Sequence, residues 1–220
     1  MSPAPPMVAV VDYGMGNRRS VQKALEHLGA RVQVTRDPAR LAAADGVVLP
    51  GVGAFAAAMS ALSALDLIDP IRAAAANERP LLGICLGMQL LFERSSELGE
   101  TAGLGLLAGE VTRLEPGPGL RIPHIGWNEV RAVRPAAILD GMPARGAAFY
   151  HVHSYAVRPS DPADVAATTT YGETFATVVA RGTVMGTQFH PEKSSVRGLR
   201  LLEAFCMIAA GASRPTRTAG

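Results

Sequence analysis

The sequence predicts an α/β fold: an open, mostly parallel, twisted sheet flanked by helices on both faces, with an added antiparallel or mixed strand region in the second half. The first observation is that short apolar runs alternate with amphipathic segments throughout the first half. Such alternation favours parallel strands connected by helices. The second observation is that, from Gly109 onward, short apolar runs follow one another with turns between them. This change of pattern predicts the antiparallel or mixed region.

The individual elements follow from these patterns. In the first half, strands are predicted at residues 7–11, 32–35, 47–49 and 81–84, with helices at residues 20–28 and 54–64. Gly29 follows the first helix as a C-cap, and Pro80 precedes the fourth strand as an element boundary. In the second half, strands are predicted at residues 110–114, 128–133, 147–150, 165–170, 175–180 and 184–189, followed by a helix at 195–210. Residues 1–212 are predicted to form a single domain and residues 213–220 a frayed tail.

Composition excludes several classes of function. The 220 residues are 48% hydrophobic and 18% charged, which is typical of a globular protein. The net charge of +2 comes from 21 basic and 19 acidic residues spread along the chain, so nucleic acid is not an expected partner. No apolar stretch approaches the roughly 20 residues of a membrane helix, and the first residues do not resemble a signal peptide. We therefore expect a cytosolic protein that does not bind membranes.

Only two cysteines occur, Cys85 and Cys206, which rules out a disulfide framework. Cys206 lies among apolar residues at helical spacing, and we interpret it as inert core packing. The two cysteines do not form a metal-binding pair. We predict no metal and no cofactor.

Cys85 is a candidate nucleophile. Gly83-Ile84-Cys85-Leu86-Gly87 follows an apolar strand and opens a helical segment, as in a nucleophile elbow. The flanking glycines avoid collisions across such a tight turn, and a thiol at a helix N-terminus is favoured as thiolate. The alternative is that Cys85 is a small buried hydrophobic residue at the end of a core strand.

His190 and Glu192 are the candidate base and its orienting carboxylate. Five histidines occur, and we interpret His27 and His124 as ordinary surface or packing residues. His190 ends an apolar strand, and if Pro191 keeps the segment extended, His190 and Glu192 point to the same side. The alternative is a strand-end turn with solvated polar residues. Both motifs fall at carboxyl ends of strands, where open α/β sheets place their sites.

An oxyanion hole is predicted from backbone N–H groups. Pro50-Gly51-Val52-Gly53 follows a strand, and its glycines allow the N–H groups of Val52 and Gly53 to turn toward a ligand. The second donor is the N–H of Leu86, directly after the candidate nucleophile. Taken alone, a glycine-rich turn is more often only a turn.

With these residues identified, the chain resembles the class I, triad-type glutamine amidotransferases, which carry a Gly-x-Cys-x-Gly elbow and a late His-Pro-Glu motif. Within that family it is similar to glutaminase subunits of imidazole glycerol phosphate synthases. The matching segments are 12–17, 50–53, 123–128 and 153–155. The resemblance implies glutamine hydrolysis through a thioester on Cys85, with His190 as general base and acid and Glu192 as orienter. Two residues depart from the usual pattern, Arg18 and His151.

The resemblance also implies further site residues. Glutamine would be held by four residues: Gly53, Gln89, Ser154 and Tyr155. A cyclase subunit would form a heterodimer with the chain and receive the ammonia, contacting four residues: Tyr13, Asn17, Trp127 and Lys193. Three alternatives stay open: a glutaminase serving another synthase, a stand-alone cysteine hydrolase acting on γ-glutamyl substrates, and a non-catalytic interaction subunit.

Overall fold

A computed structural model of the chain describes residues 4–211; the predicted tail at 213–220 lies outside the described residues. The strands are β1 Met7–Val11, β2 Arg31–Thr35, β3 Gly46–Gly51, β4 Leu81–Cys85, β5 Phe92–Ser95, β6 Thr101–Ala102, β7 Leu107–Arg113, β8 His124–Ala132, β9 Ala147–His153, β10 Tyr155–Pro159, β11 Val165–Tyr171, β12 Glu173–Arg181 and β13 Val184–Thr187. The α-helices are α1 Arg18–His27, α2 Pro38–Ala43, α3 Phe55–Ala64, α4 Ile68–Ala76, α5 Leu86–Leu90 and α6 Ser195–Ala209. Short 3-10 helices span Ala137–Leu139, Pro162–Asp164 and Pro191–Lys193.

The strands form two sheets. The larger has nine strands in the order β2-β1-β3-β4-β13-β12-β11-β8-β9. Its first five strands are mutually parallel and the remaining four join antiparallel, which confirms the predicted α/β class with antiparallel strands added in the second half. The smaller sheet has the order β10-β7-β5-β6.

The position of β13 decides where the functional groups meet. This strand comes from the end of the chain, yet it lies beside β4 in parallel register, with Thr187 paired to Ile84. β3 flanks β4 on the other side, with Gly51 paired to Cys85. These three central strands are parallel, so the carboxyl ends of β3, β4 and β13 lie side by side at the same end of the sheet.

Alternating strand residues build an apolar core on each face of the large sheet, as the two-residue period of a strand requires. One core contains Leu81 of β4 and packs against α3 and α4; the other contains Leu82 and packs against α1 and α6. The sheet is therefore covered by helices on both faces, as expected.

Some elements were not predicted. α2 has only six residues and begins at the side-chain cap of Asp37, whose carboxylate accepts the Ala39 N–H at 2.9 Å. It is too short to show a helical period. α4 is mostly alanine at its end, so its apolar and polar faces contrast weakly. The short strands β5 and β6 and the strand β10 were missed as well.

Candidate active site

Cys85 lies at a strand-to-helix turn. It is the last residue of β4, and α5 begins at Leu86. Its φ of 55° and ψ of −110° are unusual for a residue with a side chain, which marks a strained turn. The glycines on either side are required sterically: a Cβ on Gly83 would lie 2.5 Å from the Gly87 oxygen, and one on Gly87 would lie 1.8 Å from the Leu49 oxygen. The predicted elbow geometry is therefore present.

His190 and Glu192 form a close pair beside this elbow. His190 Nδ1 lies 2.9 Å from Glu192 Oε1, and both side chains are almost completely buried. The predicted extended backbone between His190 and Glu192 was wrong. β13 ends at Thr187, and Pro191–Lys193 form a 3-10 turn instead. The turn brings the carboxylate back onto the imidazole. Proline suits the first position of such a turn because its missing N–H needs no partner there.

The backbone of His190 is tied to β9. Its N–H donates to the Tyr150 oxygen at 2.9 Å. The buried hydroxyl of Ser194 donates to the His190 oxygen at 2.6 Å and accepts the Tyr150 N–H at 3.0 Å. Ser194 was not identified from sequence, since a serine preceding a helix reads as an ordinary cap. These bonds fix the position of the imidazole relative to the edge strand.

The electrostatics of His190 couple it to its two neighbours. Burial lowers the pKa of His190, but interactions with Cys85 and Glu192, through hydrogen bonding and charge, raise that pKa to about 9. Among residues 4–211, His190 Nε2 nevertheless has no hydrogen-bond partner of ordinary geometry. Catalytic hydrogen bonds are often loose before substrate binds. The raised pKa favours an imidazolium on His190 at neutral pH.

Glu192 is held by a third residue. Its Oε1 accepts from His190 and also from Asn17 Nδ2, at 3.3 Å. Its Oε2 is buried and has no hydrogen-bond partner within the described part of the chain. Asn17 was predicted to face a protein partner, and in the described chain it reaches inward to this carboxylate. A segment near the predicted partner surface thus touches the candidate triad directly.

A cavity of about 310 Å³ opens at the elbow. It brings together the predicted nucleophile, oxyanion and substrate-binding residues Val52, Gly53, Cys85, Leu86, Gln89, Ser154 and Tyr155. Four further residues line it: Glu97, Pro123, Val152 and His153. The Cys85 sulfur lies 3.8 Å from both the Val152 oxygen and Gln188 Nε2.

Glu97 was missed because no motif surrounds it. Its Oε2 accepts the N–H of Phe55 at 2.7 Å, which caps the start of α3. Glu97 both caps a helix and lines the cavity, and this double role becomes visible only when the fold is known. It supplies the carboxylate of this cavity wall.

The predicted oxyanion segment lies open at the cavity edge. Val52 is 42% exposed, and Gly53 has a φ of 109°. Pro50, two residues before Val52, is anchored, since the Tyr13 hydroxyl donates to the Pro50 oxygen at 2.8 Å. Tyr13 is only 2% exposed, so its predicted position on a partner surface is corrected. Its buried side chain instead packs against the oxyanion segment through this hydrogen bond to Pro50.

Trp127 and Lys193, also predicted to face a partner, lie at the surface. Trp127 is 56% exposed and packs edge-on to Tyr150, with ring centroids 6.3 Å apart. Lys193 is exposed, and its Nζ lies 6.0 Å from the centre of the Tyr150 ring. The exposed Ile125 precedes Trp127 on β8. Arg18, the departure noted above, forms an ion pair with Asp12.

Three other histidines are buried beside the cavity, and His124, interpreted from sequence as a surface or packing residue, packs among them. The rings of His124 and His151 stack, with centroids 5.0 Å apart, and the rings of His153 and Phe175 contact this pair edge-on or tilted. Burial lowers the pKa of His124 to about 4, and burial together with neighbouring histidines lowers those of His151 and His153 to about 3. Their rings are neutral at neutral pH.

Cys206 lies in α6, buried in the core, and burial raises the pKa of its thiol to about 11. Among residues 4–211, no group of three or more metal-binding side chains is placed to hold an ion. No helix in that same range is long and apolar enough to cross a membrane.

Comparison with known proteins shows the family of the chain. Residues 9–209 match the family model for class-I glutamine amidotransferases. The chain is 54% identical to the imidazole glycerol phosphate synthase subunit HisH of Moorella thermoacetica, over 90% of this chain and 93% of that protein. It is 50% identical to the same subunit of Syntrophotalea carbinolica, over 90% and 98% of the two chains.

Solved structures share the fold at low sequence identity. PurLQS from Thermotoga maritima superposes with a TM-score of 0.73 at 19% identity, covering 91% of this chain and 97% of that one. The glutaminase domain of Trypanosoma brucei CTPS, with bound acivicin, gives a TM-score of 0.71 at 18% identity, covering 96% of each chain. The family match and the identities to the curated relatives together show that the chain belongs to the class-I glutamine amidotransferases and, within them, to the HisH subunits of imidazole glycerol phosphate synthase.

Proposed function

We propose that this chain hydrolyses L-glutamine to glutamate and ammonia through a thioester on Cys85, and that it delivers the ammonia to the cyclase subunit of imidazole glycerol phosphate synthase. The observation that carries the proposal is the meeting of an elbow cysteine, the buried His190–Glu192 pair and a substrate-sized cavity at adjacent strand ends. The identity to HisH subunits supports the choice of synthase.

The chemistry follows from the positions of these groups. The Cys85 thiolate attacks the side-chain amide carbon of glutamine, and the carbonyl electron pair moves onto oxygen. N–H groups of Val52 or Gly53 and of Leu86 stabilise that oxyanion, an interaction whose loss typically costs about 10²–10³ in rate. The His190 imidazolium gives its proton to the leaving nitrogen, so ammonia departs. His190 then takes a proton from water, which attacks the thioester to release glutamate and thiolate.

The cavity also has groups for the other end of glutamine. Glu97 and the oxygen of Gln89 are acceptors suited to the α-ammonium group, whereas Gly53, Ser154 and Tyr155 supply N–H and hydroxyl donors for the α-carboxylate. Glutamine bound this way would place its amide near Cys85. A substrate lacking either α-group should bind more weakly.

The surface around Trp127 and Lys193 is the proposed cyclase-binding face, and Asn17 links it to the site through Glu192. The loop before α1 also packs on the oxyanion segment: a Cβ on Gly53 would lie 2.7 Å from the Met15 methyl, and one on Gly16 would lie 3.1 Å from the Pro50 oxygen. A partner that shifts this loop would change the orientation of the Val52–Gly53 peptide. Only an N–H pointing into the cavity stabilises an oxyanion.

The experiment compares glutamine hydrolysis by the isolated chain with hydrolysis in the presence of the cyclase subunit and its nucleotide substrate. We expect weak turnover alone and an increase of orders of magnitude, mostly in kcat, with both present. Activation by a different synthase instead would replace the proposed partner. Equally fast hydrolysis with no partner would favour a stand-alone hydrolase.

A further inference from the structure

A hydrogen-bonded chain of three side chains, Asn128, His124 and His153, reaches the cavity at His153. Asn128 Nδ2 is 3.3 Å from His124 Nε2, and His124 Nδ1 is 3.0 Å from His153 Nε2. His153 Nδ1 is 2.9 Å from the Tyr155 oxygen. His124 and His153 are 2% and 6% exposed. They meet because β8 and β9 pair with His124 opposite His153.

The partners at the two ends determine which nitrogen of each ring carries the hydrogen. The Tyr155 carbonyl can only accept, so His153 Nδ1 must donate and His153 Nε2 must accept. His124 Nδ1 is then the donor to His153, and His124 Nε2 accepts from the Asn128 amide. Asn128 is itself oriented: its Nδ2 donates to the Thr170 oxygen at 2.9 Å, and its Oδ1 accepts the Glu129 N–H at 2.8 Å. All donors in the chain point one way, toward Tyr155.

This arrangement requires two neutral rings, because a protonated histidine has no acceptor nitrogen. The lowered pKa values of His124 and His153, about 4 and 3, agree with that requirement. Both rings must also carry the hydrogen on Nδ1. The chain therefore has a defined and measurable protonation pattern.

The Tyr155 oxygen connects the histidines to the glutamine site. It also accepts from Gln89 Nε2 at 2.9 Å, and the same nitrogen donates to Gln188 Oε1 at 3.1 Å. Gln188 Nε2 in turn approaches the Cys85 sulfur at 3.8 Å. Both amide hydrogens of Gln89 are therefore used inside the protein, which leaves its oxygen as the group that can bind a ligand in the cavity.

We propose that His153 and His124, oriented by Asn128, are positioning residues for substrate: they hold the Tyr155 carbonyl, and through it the Gln89 amide, so that the Gln89 oxygen faces the α-ammonium group of glutamine. The proposal rests on the proposed glutaminase function. It assigns these residues a role in binding glutamine and none in the chemical step.

Two variants of one residue separate this role from simple packing. In His153→Asn, the amide nitrogen occupies the region of Nδ1 and retains the donor to Tyr155. In His153→Gln, the amide oxygen occupies the region of Nε2 and retains the acceptor for His124, while the Tyr155 donor is lost. Assayed with the cyclase subunit, His153→Gln should raise the KM for glutamine about tenfold, as expected for one lost hydrogen bond, with little change in kcat. His153→Asn should stay near the wild-type KM.

Equal KM changes in the two variants, or an effect confined to kcat, would overturn the proposal. A second measurement does not depend on activity or on variant folding: ¹⁵N NMR of the imidazoles in the wild-type chain should show hydrogen on Nδ1 of both His124 and His153. Hydrogen on Nε2 of either ring would refute the chain of donors. If the wild-type chain with the cyclase failed to hydrolyse glutamine, the proposed function would be wrong. The NMR measurement would still test the hydrogen positions on His124 and His153, because it does not require activity.

Discussion

Two clusters of buried side chains reach the cavity, and both contain histidine, yet their ring nitrogens are treated in opposite ways. The first, called the triad wall, consists of Cys85, which lines the cavity, with His190 and Glu192 behind it. Among the described residues His190 Nε2 has no ordinary hydrogen-bond partner, and the pKa of His190 is raised to about 9. The second, called the histidine wall, consists of His153, which lines the cavity, with His124 and His151 behind it. Every ring nitrogen of the histidine wall has a partner between 2.9 and 3.3 Å, and the pKa values are lowered to between about 3 and 4.

This difference distinguishes reactive from structural histidine. A buried polar atom without a partner costs free energy, so its presence next to a thiol in a cavity indicates a group kept available for substrate. A ring with both nitrogens satisfied contributes fixed geometry instead. The following experiments test that division, beginning with the largest expected effect.

Removing the nucleophile should abolish glutamine hydrolysis, the reaction assigned to the triad wall. Cys85→Ser should lower glutamine hydrolysis by at least about 10³-fold, because a serine hydroxyl is a far weaker nucleophile than a cysteine thiol. Synthesis from added ammonium salts, measured with the cyclase, should be unchanged. Cys206→Ala is the matched control and should retain glutamine-dependent activity. Substantial activity in Cys85→Ser would remove Cys85 as the nucleophile.

The base and its orienter should differ in their effects. His190→Ala should lower kcat by about 10²–10⁴-fold, the usual contribution of a general acid–base group. Glu192→Gln should be milder, since its amide oxygen can still accept from Nδ1 although the charge is lost. Steady-state kinetics of both variants with the cyclase provides the measurement. Negligible effects at both positions would show that the triad wall is not the reactive one.

The two walls should give stability opposite pH dependences. A histidine with a lowered pKa binds its proton more readily when unfolded, so the contribution of the histidine wall is lost as pH falls from about 6.5 toward the folded values of about 3 to 4. The raised pKa of His190 acts the other way. Its contribution is complete below about 6.5 and is lost as pH rises through about 9.

His151→Phe isolates one group of the histidine wall. Between pH 5 and 6, its free energy of unfolding should depend less on pH than that of the wild type, by about 1 kcal/mol per pH unit. The hydrogen bond to Thr177 that this variant loses shifts stability at every pH and leaves the slope unaffected. Urea unfolding at several pH values measures it, with His27→Gln, at an exposed position, as the control. An unchanged slope in His151→Phe would mean that this ring is not buried in its neutral form.

The smallest expected effect concerns the contact between Asn17 and Glu192. Asn17→Ala removes one hydrogen bond to the carboxylate, and kcat should fall about fivefold, equivalent to roughly 1 kcal/mol. Asn77→Ala is the control, since it deletes an exposed amide that donates to the Ala73 oxygen within its own helix turn. Both are assayed with the cyclase. If Asn17→Ala changed only the affinity for the cyclase, the contact with Glu192 would have no part in orienting the base.

Most of the features that were predicted correctly have local signals in the sequence. The first strand was predicted at residues 7–11, as observed, and the elbow was recognised because glycines two residues on either side of Cys85 have a steric purpose visible in the sequence. The contact between His190 and Glu192 was also expected, although through an extended segment. Pro191 fits both an extended segment and the start of a 3-10 turn, so the sequence did not distinguish them.

The histidine wall was missed because it depends on long-range register. His124 and His153 are far apart in the chain and meet only because β8 and β9 pair in the observed register. Shifting that register by one residue would point one of the two rings to the other face of the sheet. Glu97 escaped notice for a related reason: it reaches the cavity from a loop whose path the small sheet determines. Tyr13 was misplaced because burial of its ring beneath Pro50 could not be read from the motif around it.

The contrast between the two cysteines has a practical consequence for counting functional molecules. Cys85 lines an accessible cavity beside His190, whereas the thiol of Cys206 is packed in α6 with its pKa raised to about 11. A mild alkylating reagent near neutral pH should therefore modify the folded chain once, because only a thiolate within reach reacts quickly. The unmutated protein is then its own active-site titrant: the moles of label incorporated give the concentration of competent sites, and protection by glutamine reports their occupancy.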